Sequence, residues 1–182
     1  MNFDDDIKIA GNKPSVDVRL NKIRESLADP VTAQEFENAK KLGEVIANKY
    51  IVQAENPLGL DEGDYSFEHI RQIRLLLSFT ATVGFERFCK NDTIAGLAQK
   101  SFIDILAKKG GEIYSSSSDT GAFSFYYLAF RRGTDVERRM GQTFAMLCSH
   151  DGDPIYQELG EALYCWFLSV VRKAVKELEF GN

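Results

Sequence analysis

The chain has 182 residues, 44% hydrophobic, 27% charged and 12% aromatic, with a formal net charge of -5. That length carries one domain with a proper core, and the acidic balance excludes non-specific nucleic-acid binding, which needs a dense basic surface. No apolar run is long enough to cross a membrane, the start Met1-Asn2-Phe3-Asp4-Asp5-Asp6 lacks a signal peptide's apolar centre, and the three cysteines, Cys89, Cys148 and Cys165, form no CxxC pair. A reducing cytoplasm is the expected compartment.

Residues 1–14 are polar and irregular and read as a flexible N-terminal arm, leaving 15–182 as a single helical domain. Val16, Leu20, Ile23 and Leu27 follow helical spacing and predict a short first helix. Asp29-Pro30 has the form of a helix start, an Asp cap followed by Pro in the first turn. The second helix is therefore expected from Pro30 to about Val52, with Ala33, Phe36, Ala39, Leu42, Ile46 and Tyr50 inward. Asn56 to Asp64, with two glycines, a proline and three acids, reads as a surface loop. Ser66 then caps a long helix to about Cys89, whose wide apolar face includes Ile73, Leu76, Leu77, Ala81 and Phe85. Asn91-Asp92 opens the next helix, which carries Ile94, Leu97, Ala98, Phe102 and Leu106. It ends at Lys108-Lys109-Gly110-Gly111, basic residues before glycine being a normal helix ending.

After the polar connector Ser115 to Ser118 comes the most apolar stretch of the chain. From Ala122 to Phe130 every residue except Ser124 is apolar or aromatic, so a helix over about 120–132 is expected to be buried on nearly every side. Arg131-Arg132-Gly133 ends it, and Thr134 or Asp135 caps a sixth helix carrying Val136, Met140, Phe144 and Leu147. Asp153-Pro154 starts the last helix, to about Leu178, with Ile155, Leu159, Ala162, Leu163, Trp166, Phe167, Val170, Ala174 and Leu178 on one side and Tyr164 and Val171 widening the stripe. The fold class is all-α: a single compact bundle of about seven helices around the buried aromatic one. Gly43, Gly84, Gly96, Gly141 and Gly160 fall inside helices, where each costs roughly 1 kcal/mol against Ala. Close helix–helix approach is the expected reason.

Catalytic material is scarce. The chain has two histidines, His69 and His150, and no Ser-x-x-Lys, Gly-x-Ser-x-Gly or His-Glu-x-x-His arrangement, so no catalytic residue and no cofactor is assigned. Tyr126, Tyr127, Tyr164 and Trp166 are candidates to line a pocket for a small apolar ligand. Arg131, Arg132, Arg138 and Arg139 surround a helix start, where guanidinium groups and backbone N–H groups can hold an anion. His150, Asp151 and Asp153 offer ligands to a divalent metal, although Asp153 reads first of all as the cap of the last helix. The expected function is that of a non-enzymatic cytoplasmic binding protein, self-associating as a homo-oligomer, at its simplest a homodimer, through the C-terminal helix and holding a small apolar ligand. Neither nucleic acid nor membrane is an expected partner. The alternative is a metal-dependent hydrolase or phosphohydrolase using the His150-Asp151 cluster.

Overall fold

A computed structural model describes residues 31–52, 67–111 and 120–179, all of them in the compact unit Val31–Asn182. The arm expected over 1–14, the helix expected from Val16, the loop at Asn56 to Asp64, the Ser115–Ser118 connector and the predicted cap at Ser66 lie outside the described residues. Among the described residues every regular element is a helix. They are α1 (Ala33–Ile46), which continues as π-helical turns over Ala47–Val52, then α2 (Phe67–Phe88), α3 (Asp92–Lys109), α4 (Thr120–Arg131), α5 (Val136–Leu147) and α6 (Pro154–Glu179). None of these is long and apolar enough to cross a membrane.

Local side chains set several helix ends. α1 begins on a capping box: Thr32 Oγ1 accepts from the Glu35 amide at 3.2 Å, and Glu35 Oε2 accepts from the Thr32 amide at 2.9 Å. Thr32 is extended, at φ -70° and ψ 159°, so the helix starts at Ala33 and not at the expected Asp29-Pro30. Asn91 Oδ1 takes the Ile94 amide at 2.9 Å to open α3, and Asp153 Oδ1 takes the Ile155 amide at 2.9 Å to open α6, both as the sequence implies. Asp135 precedes α5 in the left-handed region, at φ 49°, and its side chain makes no capping bond.

α2 is the helix buried around its whole circumference. Ile73, Leu75, Leu76, Leu77, Phe79, Ala81, Val83 and Phe85 are buried, and so are Gln72, Ser78 and Thr80 between them. It packs against α3, α4, α5, α6 and the π-helical end of α1. Its buried hydroxyls are satisfied by their own helix, Ser78 Oγ donating to Arg74 O and Thr80 Oγ1 to Leu76 O, each at 2.8 Å.

The aromatic helix α4 is not buried on all sides, which corrects the expectation from its composition. Phe123, Tyr126 and Phe130 form one stripe and meet Phe79 of α2 with ring centroids 5.8, 5.5 and 6.4 Å away. Phe125, Tyr127 and Leu128 are exposed. The reason is geometric: α4 rests on α2 and α5, and no other described helix covers its outer face. Much of the wide apolar stripe of α6 is covered, although Ile155 and Trp166 stay exposed. Leu163, Tyr164, Phe167, Val171 and Val175 are all buried, because α6 lies against α1, α2 and α5 together.

Close approach accounts for four of the five mid-helix glycines. α1 and α3 cross so tightly at Gly43 that a Cβ there would run into the Ala98 carbonyl, and at Gly141 a Cβ would run into the Gln157 carbonyl of α6. Gly84 and Gly160 face the side chains of Val171 and Phe144. Gly96 faces open space, and nothing in the structure explains it.

Candidate functional site

The four aromatic residues expected to line a pocket are divided between core and surface. Tyr126 and Tyr164 are buried, whereas Tyr127 and Trp166 are exposed. Tyr126 stacks on Phe79 at 5.5 Å, and Trp166 meets Tyr50 edge-on at 6.4 Å, so the four rings do not converge. Burial raises the Tyr126 hydroxyl well above the usual tyrosine range, with Cys148 adding to the effect. The same cause, helped by Glu68, pushes the Cys148 thiol up to about 12. The Tyr126 hydroxyl makes no hydrogen bond among the described residues.

α4 presents the largest set of neighbouring exposed apolar side chains on one short helix. Phe125 is 48% exposed, Tyr127 53% and Leu128 59%. The helix carries no charge from Thr120 to Phe130. At its end the Arg131 guanidinium lies 5.7 Å from the Tyr127 ring centroid, a cation–π contact that orients that ring.

The four arginines do not share a partner among the described residues. Arg131 covers Tyr127, and Arg139 Nη2 donates to Thr134 Oγ1 at 3.1 Å. Arg132 and Arg138 are exposed.

The Ser149–Asp153 turn joins the end of α5 to the start of α6. The His150 amide donates to Ala145 O at 2.8 Å and the Ser149 amide to Met146 O at 3.0 Å, the paired bonds of a Schellman ending, with Ser149 at φ 63°. Asp153 caps α6 through Oδ1, and its Oδ2 lies 4.0 Å from His150 Nδ1. Asp151 is exposed. Among the described residues no group of three or more His, Cys, Asp or Glu side chains is arranged to hold a metal ion.

The structure adds two features that the sequence reading missed. One is a ring cluster. His150 stacks on Tyr156 with centroids 3.8 Å apart and planes 5° from parallel. His69, from the first turn of α2, lies 5.6 Å from His150, and its Nε2 is 3.3 Å from the Tyr156 hydroxyl. Both histidines of the chain are thus neighbours, through tertiary packing that no local spacing announces.

The other is a cavity of about 200 Å³ between α1, the start of α3 and the end of α6. Ala39, Leu42 and Ile94 form its buried floor, and Leu178 closes one side. At its mouth Lys90 Nζ lies 3.0 Å from Glu35 Oε1, and Asn38 Nδ2 donates to Leu178 O at 2.6 Å. The Thr32 backbone bond, then Lys90, holds the Glu35 carboxyl down at about 2. The capping box of α1 therefore also fixes one wall of the cavity's mouth. The signal available in sequence was the capping box alone, since Lys90 and Leu178 join it only through folding. No family model, no curated protein and no solved structure matches the chain.

Proposed function

We propose that the chain is a cytoplasmic protein that acts by binding, and that it pairs with a second copy of itself through the outer face of α4. One observation supports this reading: Phe125, Tyr127 and Leu128 are 48, 53 and 59% exposed on a helix with no charge from Thr120 to Phe130. Isolated exposed apolar residues are ordinary. Phe125 and Leu128, three positions apart, are neighbours on the helix surface with Tyr127 on the flank, and exposed apolar patches mark interaction sites. A second copy suits this face because it is uncharged. In an antiparallel, isologous pairing Phe125 and Leu128 of each copy meet the same pair on the other, while Arg131 and Arg132 fall at opposite ends of the contact. The C-terminal helix is the poorer surface: Tyr164 and Val171, which widen its stripe, are buried, and its exposed Ile155 and Trp166 stand about three turns apart.

The patch is small. Phe125 and Leu128 together offer roughly 200 Å² per copy, against about 800 Å² per partner in a stable interface. The pairing is therefore weak and reversible, with a dissociation constant of about 10 to 100 µM. Sedimentation velocity over a concentration series that brackets this range tests it. The wild type is expected to pass from monomer to dimer, and Leu128→Glu to remain monomeric with an unchanged helical circular dichroism spectrum. A wild type that stays monomeric throughout, or a Leu128→Glu variant that dimerises equally well, overturns the reading.

A further inference from the structure

The cavity between α1, α3 and α6 carries a ligand assignment of its own. Its volume of about 200 Å³ exceeds the ~150 Å³ that suffices to hold benzene in an apolar protein cavity. Its floor is aliphatic: Ala39, Leu42 and Ile94 are 2, 2 and 4% exposed. Its mouth is polar and carries an ion pair. Lys90 pairs with Glu35 at 3.0 Å, and Glu35 also accepts from the Thr32 amide and hydroxyl at 2.9 and 3.0 Å. Both members of that pair are already engaged, so a charged ligand head finds little there to offset the loss of its hydration. Asn38 is the uncharged polar group at the mouth. Its Nδ2 donates one hydrogen to Leu178 O, and its Oδ1 accepts from Gln34 Nε2 at 2.9 Å. A primary amide has two hydrogens and two lone-pair sites, so one of each is left for a neutral head group.

We propose that this cavity binds a small neutral amphiphile, an apolar body of about six carbons with one hydroxyl or carbonyl head placed at Asn38. The assignment deepens the binding reading above but uses a surface separate from α4, so the two can fail independently. The selectivity follows from the site: the apolar floor rewards each added methylene, and a charged head loses hydration beside a pair that is already engaged.

The test is calorimetric titration of the full chain with straight-chain alcohols from 1-butanol to 1-octanol, and with hexanoate and hexylamine. Affinity is expected to rise about fourfold per methylene until the cavity is full, near 1-hexanol. Hexanoate and hexylamine are expected to bind at least about tenfold more weakly than 1-hexanol, because each must shed the hydration of its charge at a mouth whose ion pair is already made. Ala39→Phe fills the cavity and abolishes binding if the variant folds by circular dichroism. Ile94→Ala enlarges the cavity and moves the optimum to a longer alcohol, and it decides the matter if Ala39→Phe does not fold. The same titration in Leu128→Glu is expected to be unchanged, which separates this site from the α4 face. Absence of saturable alcohol binding overturns the proposal. So does a chain-length profile that Ile94→Ala leaves in place, or tighter binding of the charged analogues.

Discussion

Tyr126 shows how much one atom can matter. Its ring is fully buried against Phe79, and its hydroxyl has no hydrogen-bond partner among the described residues. A buried polar group left without a bond costs about 1–3 kcal/mol. Tyr126→Phe keeps the stacked ring and removes the cost, so it is expected to stabilise the fold by about 1 kcal/mol in urea unfolding. A loss of similar size would show instead that the hydroxyl is bonded in solution. The sequence marks Tyr126 as an aromatic candidate beside Tyr127 but cannot separate the two, since only packing puts one in the core and leaves the other 53% exposed. Asp153 was legible, because a cap depends on neighbours within three residues, here the Ile155 amide.

Helix crossings divide residues of one type into opposite classes. Gly96 and Gly141 both sit inside helices and look alike in the sequence. A Cβ at Gly96 meets nothing within 4 Å, whereas one at Gly141 meets the Gln157 backbone. Gly96→Ala is therefore expected to stabilise by about 0.5–1 kcal/mol through helix propensity alone. Gly141→Ala is expected to destabilise by about 1–3 kcal/mol, because a backbone carbonyl cannot move aside as a side chain can. Thermal unfolding of the two variants checks both signs, and equal shifts would contradict the packed crossing of α5 and α6. Helix ends were readable to within a few residues. α1 is the instructive miss: Asp29-Pro30 resembles a start, yet the reciprocal Thr32–Glu35 bonds place it at Ala33.

For the whole molecule, the position of α2 decides which parts open last. It is buried all round and meets α3, α4, α5, α6 and the end of α1, whereas α4 is packed along one face. Amides from Leu75 to Ala81 are expected to exchange with solvent only through global unfolding, and those of α4 through smaller openings and sooner. Native-state hydrogen exchange measures this, and equal protection of the two helices would refute it. Sequence alone determined that the described chain is helical, that the helices break at Asn91 and at Asp153-Pro154, and that no described helix can span a membrane. These follow from interactions within about one helical turn and from length, and both are written locally. Tertiary structure alone decided that α2 and not α4 is the buried centre, that α6 buries Tyr164 and Val171 but leaves Ile155 and Trp166 exposed, and that Phe125 and Leu128 face outward. It also joined His69 to His150, and Glu35 and Asn38 to Lys90 and Leu178 around a cavity. Periodicity reports how apolar a helix face is, but which faces are covered depends on how many neighbours reach them, and that is settled by packing between residues far apart in the chain.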